Sequence, residues 1–227
     1  MPNYSIFPLN DSAITIDFGN VIDTEINDFV MKLYRICTKK PFIGMIEAMP
    51  AYASLTIFYT TFEVRNAYPN FETAFDFAKK YLEDNLQNTL VGCSDNQFIT
   101  EFSLVRIPVI YDGEDLATVA ETNNLTIKEV IKIHTAPTYK VFMMGFLPGF
   151  AYLGGLDARI TMPRKATPRT KVAAGSVGIA GNQTGIYPSE SPGGWQLIGR
   201  TDKQLYTPHL PEITLLKAGD YVQFYQK

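Results

Sequence analysis

The sequence changes character near Tyr139, and this change limits the folds that are open to the chain. After Tyr139 no segment shows the apolar periodicity of an amphipathic helix. Eleven of the sixteen glycines lie between Gly145 and Gly199. Short apolar runs alternate with glycine and proline at Val141–Phe146, Ser176–Gly181, Trp195–Arg200 and Tyr221–Tyr225. This spacing is typical of short strands, so we predict a β-barrel or β-sandwich from residue 139 onward.

The N-terminal part combines helix and strand patterns. Apolar residues at helical spacing predict helices at Thr24–Lys40, capped by Asp23 or Thr24, and at Asn70–Leu86. Short apolar or alternating segments predict strands at Ala13–Phe18, Ile43–Met49, Ser54–Tyr59 and Glu101–Pro108. The resulting order is β-α-β-β-α-β, which is the order of a ferredoxin-like sandwich. We therefore expect an α+β fold class with a ferredoxin-like N-terminal α/β sandwich.

The mostly polar stretch Gln87–Gln97 separates the two patterns. We expect a boundary near residues 88–100 and two domains, 1–90 and 91–227. Residues 112–134 are predicted to be helical, and Thr126 with Glu129 three residues later forms a capping-box pattern. The second of these helices carries only Lys128 and Lys132, too few cations to hold DNA phosphates. We expect this helical pair to be a solvated insertion in the second domain.

Charge and cysteine content limit the partners and the location that we expect. The net charge is -3 and the pI is about 5.4, whereas nucleic-acid binders usually show a basic excess. Cys37 falls on the buried stripe of the first helix, which predicts a structural thiol, and no C-x-x-C pair exists. The sequence shows neither a signal-peptide pattern nor a run near the ~18 apolar residues of a membrane span. We expect a soluble cytoplasmic protein.

The segment from Arg159 to Ser189 is basic. It contains no aspartate or glutamate, and its five cations are Arg159, Arg164, Lys165, Arg169 and Lys171. Five cations without counter-charges repel one another, which is tolerated in a solvated loop or in a site that awaits an anion. Pro163 and Pro168 stiffen this loop, and stiffness favours a preorganised anion site. Both interpretations remain open from the sequence.

One further motif lies within the basic segment, and another overlaps its end. The glycines of Gly175–Gly185 match neither the dinucleotide fingerprint nor a P-loop, so they serve tight corners and bulges or let the backbone approach a ligand. The loop Tyr187–Gln196 carries the single tryptophan beside polar groups, which indicates a small-molecule site or a turn around a core tryptophan. His134 and His209 have no assignable carboxylate partners, so we predict no metal site.

Several motifs together resemble one known family. They are GFLPGFAYLGGLD at 145–157, PRKATPRT at 163–170, AGSVGIAG at 174–181, QTGIYP at 183–188, SPGGWQ at 191–196 and IGRT at 198–201. Shorter motifs lie at Asp17–Gly19, Pro50–Ser54 and Val130–Thr135, so the likeness covers nearly the whole chain. The chain resembles the family of 5-oxoprolinase B subunits, also known as allophanate hydrolase subunit 1 or as Kip-type kinase inhibitors. Ala151 and Ala173 depart from the family pattern but remove no reactive group.

This resemblance implies a fold and an activity. The family combines an N-terminal α+β domain with a C-terminal cyclophilin-like β-barrel, and it is related to one half of the carboxyltransferase domain of urea carboxylase. The implied activity is the ATP-dependent opening of 5-oxoproline (pyroglutamate) to glutamate, with ATP and Mg shared among subunits. The implied partners are a homologue of the 5-oxoprolinase C subunit, together with the A subunit. The alternatives are a Kip-type inhibitor of a sensor histidine kinase, an allophanate hydrolase or urea-carboxylase-like carboxyltransferase subunit, and a small-molecule binder of another kind.

The chemistry of lactam opening suggests roles for residues in the motifs. Arg164, Arg169 and Arg200 suit a phosphoryl group or the substrate carboxylate. His134, Glu190 and Tyr187 are candidates for proton transfer. We expect one pocket at the barrel mouth to bring together Arg164, Arg169, Gln183, Tyr187, Trp195 and Arg200. We also expect Gln196 to take part in binding the substrate or an anion. Because the chain has no P-loop, we assign the binding of ATP to no residue in it.

Overall fold

The structure is a computed structural model, and it describes residues 3–90 and 103–227. These residues form two compact units, one on each side of the segment 91–102. The predicted boundary near residues 88–100 lies largely outside the described residues and stays a prediction. Each unit has its own hydrophobic core.

The first unit is a four-stranded antiparallel sheet packed against helices. Its strands are β1 (Ser5–Asn10), β2 (Ala13–Asp17), β3 (Met45–Pro50) and β4 (Ser54–Tyr59), in the order β1-β2-β4-β3. Its helices are α1 (Thr24–Lys39), α2 (Thr61–Ala67) and α3 (Ala74–Leu90). Alternate residues of the two central strands, such as Ile14 and Ile57, are fully buried in the core of this unit.

The predicted ferredoxin-like order is wrong in its fourth strand. The strand predicted at Glu101–Pro108 does not join this sheet, because β5 (Leu104–Val109) pairs in parallel with a strand of the second unit. The edge position beside β2 is taken by β1, which the sequence patterns did not reveal. All residues of β1 except Ile6 are exposed and Pro8 interrupts it, so it has no alternating apolar signal. Helix α1 and its Asp23 cap are confirmed, with Ile26 N donating to Asp23 Oδ1 at 2.9 Å.

The second unit is a nearly closed β-barrel. The strands after β5 are β6 (Tyr139–Met144), β7 (Ala151–Gly154), β8 (Arg169–Val172), β9 (Ser176–Ala180), β10 (Gln183–Ile186), β11 (Ser191–Gly193), β12 (Gln196–Arg200) and β13 (Tyr221–Gln226). The seven-stranded sheet has the order β12-β9-β10-β7-β6-β13-β5. The two edges meet where Ile110 and Arg200 exchange backbone hydrogen bonds of 2.8 Å. Strands β8 and β11 form a separate two-stranded sheet.

The helices α4 (Leu116–Thr122) and α5 (Ile127–Thr135) belong to the barrel rather than to a solvated insertion. Val119, Val130 and Ile133 are buried in the barrel core, which corrects the prediction of a solvated pair. The predicted capping box is confirmed, because Glu129 N donates to Thr126 Oγ1 while Thr126 N donates to the Glu129 carboxylate. No helix in residues 3–90 and 103–227 is long and apolar enough to cross a membrane.

Cys37 should react with thiol reagents only when the first unit opens. It is fully buried in α1, and burial raises the pKa of its thiol to about 11, which leaves almost no thiolate at neutral pH. In a Cys93→Ser variant, Ellman's reagent should label Cys37 only as denaturant unfolds the chain. Rapid labelling of the folded variant would contradict the structural role of this thiol.

Candidate functional site

The motif residues of the second unit form a pocket on the outer face of the barrel sheet. Along β9, Val177 and Ile179 belong to the barrel core, while Gly178 and Ala180 face the opposite side. Three segments line this pocket, at residues 145–150, 161–168 and 187–195, and the last of them contains β11. The pocket between them has a volume of about 260 Å³. Its lining residues are Phe146, Phe150, Tyr152, Arg164, Pro168, Tyr187, Pro192, Gly193, Gly194 and Trp195.

Two glycines that pair across neighbouring strands make room for the aromatic wall. Gly178 on β9 lies opposite Gly185 on β10. A Cβ atom at Gly185 would lie 3.0 Å from Trp195 Cζ3 and 3.2 Å from Phe150 Cζ, and one at Gly178 would lie 3.1 Å from Trp195 Cβ. The sequence left open whether these glycines serve corners and bulges or let the backbone approach a ligand. In the structure, Gly178 and Gly185 let aromatic rings pack against the sheet.

Edge-to-face contacts hold the aromatic wall together. The ring of Phe150 lies 4.9 Å from Tyr152, 5.4 Å from Tyr187 and 5.5 Å from Trp195, all in edge-to-face orientation. Such pairs contribute about 0.5–1.5 kcal/mol each beyond their area burial. Gly193 completes the fit, because a Cβ atom there would lie 2.3 Å from Tyr187 Oη. The wall is therefore a rigid apolar surface that can receive a flat ring.

Phe146 stands at the mouth of the pocket in a strained conformation. Its φ angle is +67°, a left-handed backbone that bulky residues rarely adopt, and its side chain is 59% exposed. The sequence search for charged and polar groups missed Phe146, Phe150 and Tyr152 as pocket residues. The motif at 145–157 that contains them was the available signal, but these three aromatic residues carry no charge and so pointed to no chemistry.

Arg164 is the one charged side chain among the described residues that line the pocket. It is exposed, and it forms no ion pair with any residue that the structure describes. Its positive charge acts on both phenols of the wall, since it works to lower the pKa of Tyr152 and of Tyr187 against the larger, opposite effect of burial. A small anion entering the pocket would therefore find a guanidinium beside an aromatic surface.

The other four cations of the basic segment have acidic partners, which corrects the interpretation of an acid-free cluster. Arg159 pairs with Asp157, and Lys171 pairs with Glu190 at 2.9 Å. Lys165 and Arg169 both donate to Asp115, from 3.0 Å and 2.7 Å. These carboxylates lie outside the segment in sequence, so the segment looked unbalanced only as a linear string.

Asp115 connects three separate parts of the chain. It is 5% exposed, and its carboxylate accepts from Lys165 Nζ, Arg169 Nη2 and Leu197 N. Burial works to raise the pKa of Asp115, but these hydrogen bonds together outweigh it and hold the pKa below its usual value. Asp115 therefore stays ionised at neutral pH and holds the basic segment against β12, the strand that follows Trp195.

The remaining predicted binding residues lie outside the pocket. Arg200 pairs with Asp112 at 2.8 Å on the surface, and Arg169 is held by Asp115. Gln183 is buried in β10, and Gln196 donates its side-chain N–H to Pro163 O at 3.0 Å. Of the six residues expected to share one pocket, Arg164, Tyr187 and Trp195 line it, whereas Arg169, Gln183 and Arg200 do not.

The three proton-transfer candidates occupy different environments. Tyr187 is in the pocket wall, and burial raises its pKa despite the hydrogen bond from Trp195 N and the nearby arginines. It therefore remains a protonated phenol at neutral pH and can donate a hydrogen bond to a ligand. Glu190 is exposed and paired with Lys171, and it does not line the pocket. A catalytic role for each of them stays a prediction.

His134 lies in the interior of the second unit. Its ring stacks on Phe224 at 4.7 Å, and no atom of it is exposed. Thr184 Oγ1 donates to Gly178 O, so it accepts the Nε2–H of His134 at 2.9 Å, and Nδ1 accepts from Tyr111 Oη at 2.7 Å. This continuous chain satisfies both ring nitrogens of a neutral imidazole. The placement favours a structural role over the predicted proton transfer.

The described residues offer no site for a metal ion, because no three His, Cys, Asp or Glu side chains among them come close enough together. A nucleoside triphosphate needs several cations or a bound divalent ion to neutralise the charge of its phosphates. The pocket presents Arg164 as its one charge among the residues described. These residues do not fit a complete ATP site.

Comparison with known proteins identifies relatives along nearly the whole chain. The profile of the family described as "Carboxyltransferase domain, subdomain C and D" matches residues 4–216. The chain is 45% identical over 225 residues to the B subunit of 5-oxoprolinase from Bacillus subtilis (strain 168). That alignment covers 97% of this chain and 92% of the relative, so the two proteins correspond nearly end to end.

Solved structures share the architecture. The crystal structure of TTHA0988 superposes with a TM-score of 0.77 at 33% identity, covering 95% of this chain but 40% of that one. The chain thus spans less than half of that related protein. The urea carboxylase of Kluyveromyces lactis matches all of this chain and 22% of its own length, with a TM-score of 0.73 at 18% identity. This last likeness establishes a common fold.

The buried histidine should make the second unit sensitive to mild acid. Burial lowers the pKa of His134 to about 3, far below the ~6.5 of an unfolded histidine, so the unfolded chain binds the extra proton. Stability is then complete above pH ~6.5 and is lost as the pH falls. Between pH 7 and pH 5 this histidine alone should lower the free energy of unfolding by about 2 kcal/mol.

The measurement is urea unfolding at both pH values, followed by the fluorescence of Trp195, which lies in the second unit. The His134→Gln variant should be less stable at pH 7 and should lack this part of the pH dependence. The His209→Gln variant changes an exposed histidine and should retain it. Equal pH dependence in both variants would contradict a buried neutral His134.

Proposed function

The chain belongs to the carboxyltransferase domain family, subdomain C and D, and we propose that it is the B subunit of an ATP-dependent 5-oxoprolinase. In this role it takes part in the hydrolysis of 5-oxoproline to glutamate. The observation that carries the proposal is the end-to-end correspondence, at 45% identity, with the B subunit from Bacillus subtilis. An alignment at this identity over nearly the whole length of both proteins supports a shared role more strongly than similarity of fold does.

The outer-face pocket suits the binding of this substrate. 5-Oxoproline is a five-membered lactam ring that carries one carboxylate. The wall of Tyr152, Tyr187 and Trp195 offers an apolar surface for the ring, and Arg164 offers a guanidinium for the carboxylate. Contact between the ring and this surface excludes water locally, which strengthens the ionic contact. The protonated phenol of Tyr187 is a donor for a ligand carbonyl.

We assign the ATP-dependent step to the assembled complex. Lactam opening with ATP requires the phosphate charge to be neutralised, and this chain has one unpaired cation in the pocket among its described residues. The proposed partners are a homologue of the C subunit, which supplies the other half of the carboxyltransferase-like domain, and the A subunit. ATP with Mg is then bound with the help of these chains, while this chain binds and orients the small substrate.

A second candidate function is carboxyl transfer. The family description itself names a carboxyltransferase domain, and a pocket with one arginine beside aromatic rings also suits a carboxylated substrate. The two functions differ in their products, because the first releases glutamate and the second moves a carboxyl group. A complex that consumes ATP without opening 5-oxoproline would favour the second.

The isolated chain should have little 5-oxoprolinase activity, because its described residues form no complete ATP site. Mixing it with homologues of the two partner subunits should shift its elution on a sizing column and produce ATP-dependent glutamate release. The control is the same mixture without ATP. Turnover by the isolated chain at ordinary enzyme rates, about 1–10³ per second, would contradict the proposal.

Two arginines provide a matched test of the pocket. Arg164→Ala should lower kcat/KM of the reconstituted complex roughly 10- to 150-fold, since losing a charge-assisted hydrogen bond costs about 1.5–3 kcal/mol. Arg200→Ala removes a cation that is paired on the surface, so kcat/KM should stay within about twofold. Circular dichroism checks that both variants are folded. A larger loss from Arg200→Ala than from Arg164→Ala would contradict the placement of the site.

A further inference from the structure

Arg164 and Trp195 lie opposite each other because the residues on either side of them are joined. Before Arg164, Pro163 O accepts from Gln196 Nε2 at 3.0 Å. After Arg164, Lys165 N donates to Gly194 O at 2.7 Å. Residues 163–165 and 194–196 therefore run past each other with two connections, one on each side of the arginine and the indole.

The neighbouring side chains strengthen this arrangement. Lys165 Nζ donates to Asp115 Oδ1, and Arg169 Nη1 donates to Trp195 O at 3.4 Å. Gln196 is 7% exposed, so the donor of its hydrogen bond to Pro163 O is largely shielded from water. Pro163 has a fixed φ angle and no N–H, which leaves its carbonyl as the group that fixes the start of the turn. Each connection lies within residues that the structure describes.

We propose that the pocket is a preorganised subsite for a small molecule with one small ring and one carboxylate, in which Gln196 is the positioning residue for Arg164. Gln196 does not touch the ligand. It holds the backbone before Arg164 in register with Trp195, so that the guanidinium and the indole face the same volume. The inference rests on the proposed function only in taking this pocket as the substrate site.

Preorganisation explains why an exposed arginine can bind an anion selectively. An arginine on a mobile turn loses backbone freedom when it binds a carboxylate, and a turn that is already fixed avoids that part of the cost. The ring of the ligand meets an apolar wall that is already assembled. Loss of the Gln196 bond leaves the wall in place but lets the turn at 163–165 move. The loss should therefore weaken binding of the charged group and spare binding of the ring.

The experiment is a fluorescence titration of the full chain, with its single tryptophan Trp195 as the reporter. The probes are cyclopentanecarboxylate and its neutral analogue cyclopentanecarboxamide, which share one ring and differ in charge. The variants are Gln196→Met, Arg164→Met and the double variant, and the control is Gln223→Met on β13. Gln196→Asn, whose shorter amide does not reach Pro163 O, replaces Gln196→Met if that variant is unfolded by circular dichroism.

The wild-type chain should bind the carboxylate at least about tenfold more tightly than the carboxamide. Gln196→Met should weaken carboxylate binding about three- to tenfold and leave carboxamide binding unchanged, whereas Gln223→Met should leave the binding of both probes unchanged. In the Arg164→Met background the Gln196 substitution should have no further effect, which a double-mutant cycle measures. An equal loss for both probes, an undiminished effect without Arg164, or no preference for the carboxylate would each overturn the inference.

The outcomes separate this inference from the proposed function. One outcome is that the substitutions at Gln196 and Arg164 are coupled in their effect on carboxylate binding while the reconstituted complex is inactive. That outcome would support the subsite and reject the 5-oxoprolinase assignment. An active complex without coupling between Gln196 and Arg164 would reject the positioning role and leave the assignment standing.

Discussion

The buried carboxylate of Asp115 is the interaction on which the site depends. It accepts hydrogen bonds from two cations of the basic segment, Lys165 and Arg169, and from a backbone N–H of β12. Removing one partner of such a buried ionic group is costly, because the remaining charges lose their compensation. Through Asp115 the loop at 161–168 is held against the strand that follows Trp195. The same ion pairs occupy Lys165 and Arg169, so Arg164 is left as the charge of the pocket.

The aromatic wall depends on a second constraint, which is the absence of side chains where the rings meet the sheet. Gly178 and Gly185 lie opposite each other, and their missing Cβ atoms give Trp195 and Phe150 direct contact with the backbone. Because protein interiors are close-packed, an added methyl group there would displace the rings rather than compress them. The glycine-rich motif therefore allows the close ring packing that forms the wall of the pocket.

Local signals in the sequence predicted local structure well. In the cap of α1 at Asp23 and in the capping box at Thr126, the hydrogen-bonded partners lie within one helical turn of each other. Short sequence spacing is therefore enough to predict both caps. The glycine and proline spacing after residue 139 predicted the strands of the barrel for the same reason. The edge strand β1 has no buried face and therefore no pattern, and this is why the predicted fourth strand of the first unit was wrong.

The site could be predicted only in part, because its electrostatics are non-local. Asp115 is separated from its partners Lys165, Arg169 and Leu197 by 50, 54 and 82 residues. No periodicity or spacing rule reaches over such distances, so the cations that these contacts neutralise looked available in the sequence. The structure brings three of the predicted residues, Arg164, Tyr187 and Trp195, to one pocket, whereas Arg169, Gln183 and Arg200 lie outside it.

A crystal structure of the chain with bound 5-oxoproline tests the central claim most directly. The ligand carboxylate should lie about 2.7–2.9 Å from the guanidinium of Arg164, with the ligand ring against Trp195. Arg169 should remain on Asp115, and Arg200 should remain on Asp112. A carboxylate bound by Arg169 or Arg200, with the corresponding aspartate released, would contradict the claim that ion pairing selects Arg164 as the anion contact.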